Sequence, residues 1–405
     1  MRLLFITQYF YPETFRGNDV VFYLAERGFK VTVLTAIPNY PHGKYYIGYG
    51  LFRRSYETTN GIKIIRVPVI PRGRSGKIGL ALNYSSYMFF GAIYSFFLSL
   101  FNKYDVILAQ QLSPATSVLP GLIVKRLKSI PLLIWVLDLW PESIQSVGGT
   151  NNKVILNILN CFMKHVYMRS ERILISSKGF ASSINSKGPF GNKIIYFPNW
   201  AESINTANDK SSIPALPSGF RIVYAGNIGE AQDFEAVMQA VSLVRHEFNI
   251  KFIFIGEGRK YNWLRRFVVS SKLTETVTIL GRYPQVSMPA FFKQADVMLL
   301  SLKDDIVLNK TAPAKLQAYM SCGKPVLGML NGDGSDIIID ADCGLVAPAG
   351  DFTQLAANVL RMKNMPAQEL SRMGHSGLLY SEENFNRKKC LSHLQEIILR
   401  TTRKN

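Results

Sequence analysis

Short apolar runs alternate with longer stretches of helical periodicity along the first half of the chain. The apolar runs are rich in Val, Ile and Leu, as is typical of strands that are buried on both faces of a sheet. Runs and helical stretches follow one another at residues 3–7, 19–27, 31–35, 106–109, 117–127, 132–137, 154–168 and 172–176. Strands of this kind, separated by helices, predict a parallel, doubly wound α/β sheet.

The same alternation begins again after residues 201–219, a polar segment with two prolines that is typical of a linker. Strand-like and helical stretches then follow at 221–225, 234–247, 251–256, 261–270, 277–280, 289–294, 297–302, 314–321, 325–330 and 344–347. The sequence therefore predicts two Rossmann-like domains, residues 1–200 and 220–383. Because open sheets bind ligands beyond the carboxyl ends of their strands, we expect the two domains to face a shared cleft.

Glycines stand directly after several of the predicted strands, at three successive strand ends in the second half and once after the first strand. Small residues there free backbone amides, which can bind phosphate without a metal ion. An ordinary tight turn is the alternative for any single glycine. With their polar neighbours, the candidate phosphate and donor ligands are Gly17, Asn18, Gly226, Asn227, Gly229, Gly256, Gly258, Arg282 and Tyr283.

The strongest local signal is the segment 309–327, NKTAPAKLQAYMSCGKPVL. Pro313 suits the first turn of a helix, Gly323 suits its end, and Pro325 suits the start of a strand. Lys310 and Lys315 bracket the predicted helix start and add two cations to its positive end. This arrangement predicts a diphosphate site with both lysines as candidate catalytic groups. The alternative for Lys315 is a surface position on an amphipathic helix.

Composition and charge narrow the class of protein. Of the 405 residues, 47% are hydrophobic and 19% charged, which excludes a disordered chain. The four cysteines lie far apart, which fits neither a zinc ribbon nor a disulfide scaffold and suits a reducing cytoplasm. The formal net charge is +19, and Lys and Arg outnumber Asp and Glu by 23 to 9 in the first 205 residues. We expect this half to attract a polyanion; the alternative is a solvated basic surface.

Residues 78–102 contain no charged side chain and are rich in Phe and Tyr, over a length that could cross a bilayer. A crossing would place strands of one predicted sheet in different compartments, so we expect the helix not to span. Because Arg72, Arg74 and Lys77 precede it, the region 72–102 favours peripheral contact with an anionic membrane surface. The alternative is a helix buried beneath the sheet.

Several multi-residue blocks resemble the retaining glycosyltransferases of family four, a GT-B family. They are QYFYPE at 8–13, IPNYPHG at 37–43, QLSP at 111–114, DLWPES at 138–143, FPNWA at 197–201 and YAGNIG at 224–229, together with the segment 309–327. The chain is most similar to the bacterial branch that contains the L-fucosamine (N-acetyl-fucosamine) transferases of O-antigen and capsule assembly. The resemblance implies a UDP-sugar bound mainly by the second domain and an acceptor bound mainly by the first. It also implies that the last helix, within about residues 384–405, crosses back to the first domain.

The chain departs from the family pattern at two places. Many members carry two glutamates eight positions apart, which fall here on Lys310 and Ala318, so the sequence does not name the group that binds the ribose. A histidine that is common in the family falls on Leu137, which leaves Asp138 as the nearest polar candidate for a catalytic role.

The remaining candidates are carboxylates and one histidine. Asp138 and Glu142 could form an acid and base pair, or they could cap a helix. Glu142, together with His42 in the 37–43 loop, is a candidate for acceptor binding. Asp340 and Asp342 match the D-x-D pattern of metal-dependent transferases, but a three-residue pattern is common by chance, and we predict no metal and no other cofactor.

These features predict retaining, metal-independent transfer of a sugar, with N-acetyl-L-fucosamine as one candidate. The donor would be a UDP-sugar, and the acceptor a polyprenyl-diphosphate-linked saccharide of O-antigen, capsule or lipopolysaccharide synthesis. The enzyme would act at the cytoplasmic face of the bacterial inner membrane as a peripheral protein. Two alternatives remain open, a GT-B nucleotide-sugar epimerase and an inactive transferase-like subunit that binds membrane. No nucleic acid partner is expected, because no recognition module accompanies the basic residues.

Overall fold

The chain divides into two compact units. The computed structural model describes residues 1–51, 53–73, 76–146, 150, 152–201 and 213–403. Unit 1 consists of Met1–Ser176, Phe180–Phe197 and Leu391–Asn405, and unit 2 of Ser177–Gly179 and Pro198–Cys390. Of the predicted linker, only 201 and 213–219 lie within the described residues. The sequence pattern gives no indication that Ser177–Gly179 belong to unit 2.

Unit 1 is built on one sheet whose central strands are buried along their whole length, as expected for strands covered on both faces. The strands are β1 (Arg2–Ile6), β2 (Lys30–Ala36), β3 (Tyr56–Thr59), β4 (Ile62–Val67), β5 (Val106–Gln111), β6 (Leu132–Val136), β7 (Arg172–Ile175) and β8 (Ile194–Tyr196). They lie in the order β3-β4-β2-β1-β5-β6-β7-β8, and all pairs are parallel except β3 with β4. The strand order therefore changes direction between β1 and β5, where a doubly wound sheet binds ligands.

The helices of unit 1 connect these strands. They are α1 (Arg16–Glu26), α2 (Lys77–Phe101), α3 (Leu119–Lys128), α4 (Glu142–Ser146), α5 (Lys153–Arg169) and α6 (Phe180–Asn185). Helix α1 begins before the predicted start at residue 19, so Gly17 and Asn18 lie in its first turn and not in the preceding loop. The last helix of the chain joins unit 1 from Leu391 onward, where Leu391, Leu394 and Ile398 are buried.

Unit 2 repeats the architecture with an all-parallel sheet. Its strands are β9 (Phe220–Ala225), β10 (Ile250–Ile255), β11 (Val277–Gly281), β12 (Val297–Ser301), β13 (Val326–Met329) and β14 (Gly344–Ala347), in the order β11-β10-β9-β12-β13-β14. Its helices are α7 (Phe234–Leu243), α8 (Tyr261–Ser270), α9 (Met288–Gln294), α10 (Ile306–Asn309), α11 (Ala314–Ser321), α12 (Asp333–Asp340), α13 (Phe352–Lys363) and α14 (Ala367–Asn384), followed by α15 (Arg387–Arg403). The predicted fold class, two doubly wound parallel sheets, is confirmed.

Helix α2 buries Asn83 and three of its four serines and exposes several of its large apolar residues. Asn83, Ser86, Ser95 and Ser99 are buried against unit 1. The exposed side chains, Phe89, Phe96, Phe97, Leu100 and Phe101, are 45–81% exposed. By length and composition alone, Ile78–Phe101 is the single stretch of the described chain that could span a membrane. The exposed face excludes the alternative of a helix buried beneath the sheet.

Candidate functional site

The carboxyl ends of β9, β10 and β11 form one edge of the unit 2 sheet, and backbone hydrogen bonds join their loops. The amide of Gly226 donates to the carbonyl of Ile255 (2.8 Å), and that of Gly256 to the carbonyl of Gly281 (2.7 Å). A cavity of about 800 Å³ opens at this edge, a size typical of small-ligand sites. It is lined by Gly226, Asn227, Ile255, Gly256, Glu257, Arg282, Tyr283, Pro284, Gln285 and Met288. Five predicted donor ligands therefore share one cavity.

Glycine is required at two of these positions. Gly226 and Gly256 have φ angles of +138° and +145°, which residues with a side chain rarely adopt. A Cβ atom on Gly256 would lie 1.9 Å from the carbonyl oxygen of Gly226. A Cβ atom on Gly226 would lie 2.4 Å from Cε of Lys315. The two strand ends therefore approach each other, and Lys315, too closely to admit any side chain.

Two further predicted ligands shape the loop beside the cavity. A Cβ atom on Gly258 would lie 2.2 Å from the carbonyl oxygen of Ile228. The amide of Gly229 donates to Oε1 of Gln232 (3.1 Å). Gly229 and Gly258 therefore serve the packing of this loop and do not belong to the set of residues that line the cavity in the described chain.

Lys315 extends from the first turn of α11 to Gly226, one of the residues that line the cavity. Its ammonium nitrogen lies 4.2 Å from the ring centroid of Tyr224 and donates to the Tyr224 hydroxyl. None of the ion pairs found among the described residues includes Lys315. Burial lowers the pKa of the Lys315 amine to about 7. An anion in the cavity would favour the charged form of this half-buried amine and raise its pKa. The pKa of a surface lysine would change little, because water already solvates its charge.

Tyr319, which the sequence did not single out, fixes α11 against the end of β9. Its hydroxyl donates to the carbonyl oxygen of Ala225 and accepts from the Ala225 amide, both at 3.1 Å. Tyr319 follows Lys315 by four residues and therefore shares its helix face. This spacing of four residues could have identified Tyr319 from the sequence, because both side chains then lie on one face of the helix and contact the same strand.

Lys310 lies in a different environment from Lys315. It follows α10, and its Cα atom packs so closely on Gly179 that a Cβ atom there would lie 2.8 Å away. Asp333 accepts hydrogen bonds from the Ser177 hydroxyl (2.5 Å) and the Gly179 amide (2.7 Å). The Ala312 amide in turn donates to the Ser177 hydroxyl (2.7 Å). The described contacts of Lys310 thus involve its main chain and Cβ, and they hold the segment before α11 in place.

Gly17 and Asn18 organise the loop that follows β1. A Cβ atom on Gly17 would lie 2.8 Å from Oε1 of Gln110, so glycine allows α1 to pack closely on the sheet. The Asn18 side chain donates to the carbonyl oxygen of Glu13 (2.7 Å) and accepts from the Tyr11 amide (3.2 Å). The polar atoms of Asn18 therefore brace the loop between β1 and α1 from the first turn of α1.

Glu13, which the sequence did not assign to the site, is buried beneath the same loop. Its Oε1 accepts hydrogen bonds from the amides of Asn39 (2.8 Å) and Tyr40 (2.7 Å). Burial raises the pKa of the Glu13 carboxyl to about 7, although these hydrogen bonds act in the opposite direction. Glu13 thereby joins the loop after β1 to the 37–43 loop.

We expect Glu13→Gln to flatten the pH dependence of stability. In the wild type, the raised pKa stabilises the fold below about pH 4.5, and this contribution is lost as the pH rises through 7. Glutamine keeps the acceptor oxygen and does not titrate. The difference in the free energy of unfolding, variant minus wild type, should therefore increase by about 2–3 kcal/mol between pH 5 and pH 8. Urea unfolding across this range measures it, and a constant difference would contradict it.

Asp138 and Glu142 lie in unlike environments at the carboxyl end of β6. Asp138 accepts from the Ser113 amide (2.9 Å), and burial raises the pKa of its carboxyl. Glu142 forms an ion pair with Lys187 (2.5 Å) and accepts from the Ser183 hydroxyl. Although burial acts to raise it, these partners lower the pKa of Glu142 overall. The carboxylate of Glu142 is therefore held by its own unit, while Asp138 is the more readily protonated of the two.

The last candidates are exposed. His42 lies on the surface of the 37–43 loop, with its ring 6.0 Å from that of Tyr46. Of the D-x-D pattern, Asp342 forms an ion pair with Arg372. Within the described ranges, no group of three or more His, Cys, Asp or Glu side chains is placed to hold a metal ion.

Comparison with known proteins finds a family match for the part of the chain that carries the cavity. Residues 219–364 match the model of the family Glycosyl transferases group 1. The chain is similar to the probable glycosyltransferase WbjE of Pseudomonas aeruginosa, at 23% identity over 234 residues, which cover 55% of this chain and 58% of that protein. It is also similar to WcaI of Escherichia coli, named as a colanic acid biosynthesis glycosyl transferase, at 24% identity over 76% of both chains. The chain thus matches less than two thirds of the length of WbjE.

Solved structures show the same fold over the whole chain. Sucrose-phosphate synthase from Thermosynechococcus elongatus has a TM-score of 0.75 at 14% identity and covers all of both chains. HepE from Anabaena, in complex with UDP, has a TM-score of 0.68 at 13% identity and covers 98% of this chain and 99% of its own. Residues 219–364 of unit 2 are thus similar to the group 1 glycosyltransferases, and over its full length the chain has the two-domain fold of the GT-B glycosyltransferases.

Proposed function

We propose that the protein is a retaining glycosyltransferase that takes a sugar from a UDP-sugar and adds it to a polyprenyl-diphosphate-linked saccharide. One observation carries the donor half of the proposal. Lys315 approaches Gly226 beside a cavity at the strand ends of a group 1 glycosyltransferase domain. UDP in the HepE complex and the name of WcaI support the donor and the polysaccharide class, respectively.

The chemistry requires stabilisation of a leaving diphosphate. The bond between the anomeric carbon and the UDP oxygen breaks, and the acceptor oxygen forms a new bond to the same carbon on the same face. The acceptor's proton passes to an oxygen of the departing phosphate, so the residues need not supply a strong base. Negative charge that develops on the diphosphate is stabilised by the Lys315 ammonium and by the amides near Gly226. Because cations and amides do this work, we propose that no metal is needed.

Glu257 offers a replacement for the glutamate of the family pattern whose position is occupied by Ala318 in this chain. It is the carboxylate that lines the described cavity, directly after Gly256 at the end of β10. A carboxylate accepts hydrogen bonds from ribose hydroxyls in other doubly wound nucleotide sites. Tyr283 and Met288 supply an apolar wall of the same cavity for the base. We assign the ribose to Glu257 on this placement.

The acceptor half of the proposal rests on helix α2. Its exposed phenylalanines form an apolar surface on a chain whose first half is strongly basic. Such a surface suits peripheral contact with an anionic bilayer, where a polyprenyl-linked acceptor resides. We therefore place the reaction at the cytoplasmic face of the bacterial inner membrane. N-acetyl-L-fucosamine is the first sugar to test, since the chain most resembles transferases of that sugar.

Transfer is tested with purified protein, a panel of UDP-sugars and a polyprenyl-diphosphate-linked saccharide. Mass spectrometry of the lipid and of the nucleotide sugar should show a glycosylated lipid and free UDP, both with and without excess EDTA. An isomerised nucleotide sugar with unchanged lipid would indicate the epimerase alternative. Intact substrates throughout the panel would indicate an inactive subunit, and loss of activity in EDTA with rescue by magnesium would overturn metal independence.

We expect Phe96→Ser/Phe97→Ser/Phe101→Ser to weaken membrane association. Each replacement removes apolar area from the exposed face of α2, so binding to phosphatidylglycerol vesicles should fall at least about tenfold. Sedimentation with the vesicles measures this loss. Phe248→Ser is the matched control, because Phe248 is an 87% exposed phenylalanine in unit 2. Equal binding of the triple variant and the wild type would contradict membrane contact through α2.

A further inference from the structure

Arg72 is enclosed by three tyrosine rings in unit 1. Its guanidinium carbon lies 5.1 Å from the ring centroid of Tyr9, 5.1 Å from that of Tyr40 and 5.4 Å from that of Tyr84. These rings come from the loop after β1, the 37–43 loop and helix α2. We call this arrangement the tyrosine cage. Aromatic faces orient a guanidinium without neutralising its charge, so the cage holds a cation in a fixed place.

The hydrogen-bonding groups of Arg72 are only partly used. One terminal nitrogen donates to the Tyr9 hydroxyl, whereas the buried Nε has no hydrogen-bond partner among the described residues. No ion pair in the described chain includes Arg72. Arg66, whose buried Nε likewise lacks a partner, differs in that its terminal nitrogens pair with Glu57 (2.8 Å) and donate to the carbonyl oxygen of Tyr11 (2.9 Å). A guanidinium with free donors in a fixed fork is suited to phosphate oxygens.

The cage lies at the beginning of the exposed apolar face of α2. A Cβ atom on Gly79 would lie 2.4 Å from the carbonyl oxygen of Arg72, so the main chain of Arg72 packs on the first turns of the helix. Asn83 fixes the incoming segment by donating to the carbonyl oxygen of Ile70 (2.7 Å). Ile78 and Leu82, at 78% and 46% exposure, continue the outward apolar surface from this point. A cation therefore sits next to a surface that suits a hydrocarbon chain.

Tyr84 contributes an un-ionised hydroxyl to the cage. Burial raises the pKa of the Tyr84 hydroxyl, and the Asp138 carboxylate adds to this effect, while Arg72 opposes it. Tyr84 thus remains a hydrogen-bond donor at neutral pH.

We propose that the tyrosine cage binds the diphosphate of a prenyl-diphosphate-linked acceptor and that the exposed face of α2 takes the prenyl chain. This inference takes the class of acceptor from the proposed function and adds the residues that bind it. Arg72 supplies the charge, and Tyr84 supplies a hydroxyl donor.

Farnesyl diphosphate is the probe, titrated calorimetrically into the full chain with UDP at saturation so that the nucleotide site is occupied. Arg72→Gln should weaken its binding at least tenfold, and Arg72→Lys, which keeps the charge without the fork, should weaken it less. Arg54→Gln is the matched control, because Arg54 lies over the ring of Tyr49 (5.3 Å) and is exposed. It should leave the affinity within about twofold. A thermal melt of each variant verifies folding, and Tyr84→Phe, which should weaken binding severalfold, replaces Arg72→Gln if that variant does not fold.

The other arms separate the possible outcomes. Farnesol should bind wild type and Arg72→Gln equally, since it lacks the diphosphate. Unchanged farnesyl diphosphate affinity in folded Arg72→Gln overturns the proposal. The proposal is also overturned if Arg72→Gln loses binding to phosphatidylglycerol vesicles but not to farnesyl diphosphate, because a phospholipid head group is then the ligand. UDP affinity is measured first, so that a failure of the proposed function can be distinguished from a failure of this inference. Failure to bind UDP contradicts the proposed donor, whereas normal UDP binding with an unaltered cage variant contradicts this inference alone.

Discussion

Lys315→Ala is expected to lower turnover by roughly 10²–10³-fold, the loss seen when one preorganised charge-stabilising group is removed. The amine is half-buried beside Gly226, and its described contacts are the ring and hydroxyl of Tyr224. Removing it leaves the diphosphate with the loop amides alone. A steady-state assay with the UDP-sugar, beside a UDP titration and a thermal melt, measures the effect.

Two further variants locate the cause of that loss. Lys315→Met preserves most of the packing without the charge, so it should match Lys315→Ala in turnover. Lys310→Ala should be milder, because the described contacts of Lys310 come from its main chain and Cβ. Wild-type turnover in folded Lys315→Ala would remove Lys315 from the site and leave the amides near Gly226 as the main phosphate contact.

Protonation gives the Lys315 assignment an independent readout. Because burial holds the pKa of the free amine near 7, most of it is neutral at pH 8. A bound diphosphate favours the ammonium form and should draw close to one proton from the buffer. Titration of UDP in buffers with different ionisation enthalpies detects this uptake. The uptake should vanish in Lys315→Met.

Gly256→Ala is expected to reduce UDP affinity by about 10²-fold or more. A methyl group there would lie 1.9 Å from the Gly226 carbonyl oxygen, and the φ angle of +145° is unfavourable for alanine. The loops after β9 and β10 must therefore separate. This separation either costs several times the roughly 1–3 kcal/mol that backbone strain alone would cost, or it changes the shape of the cavity. UDP calorimetry and a thermal melt measure the two consequences.

Gly281→Ala is the control for strain without a clash. It lies on the same sheet edge with a φ angle of +75°, but the nearest atom to the added methyl group, the hydroxyl oxygen of Tyr261, would be 3.7 Å away. This variant should lose stability and retain nearly all of its UDP affinity. Equal UDP affinity in Gly256→Ala and the wild type would show that the approach of the two loops is unimportant for the nucleotide.

The fold and the glycine edge could be predicted because both leave local signals. Strands buried on both faces are mostly apolar, so β6 and the first four residues of β5 are visible as uninterrupted runs. Gly226 and Gly256 follow such runs at once, where parallel strands bring their loops together. The direction of Lys315 was likewise accessible, since its position in the first turn of α11 follows from Pro313.

Other parts of the site depend on distant segments that no local pattern connects. Glu13 reads as a surface residue after proline, yet the 37–43 loop covers it. Arg72 reads as one charge in a basic stretch, whereas its three tyrosines are supplied from elsewhere in unit 1. The charge-free composition of α2 indicated an apolar helix, but it could not show that three of its serines face inward and four of its phenylalanines outward, because this depends on what the helix packs against.

The division of unit 1 along the chain affects the order in which the protein can form on the ribosome. Unit 2 has all of its residues once Cys390 has emerged, whereas unit 1 still lacks Leu391–Asn405. At roughly 5–20 residues per second, the nascent sheet of unit 1 waits roughly 10–40 s between the emergence of Phe197 and that of Leu391. During that interval, the surface later covered by Leu391, Leu394 and Ile398 stays open to solvent and chaperones. The half of the protein that is synthesised first is therefore the half that is completed last.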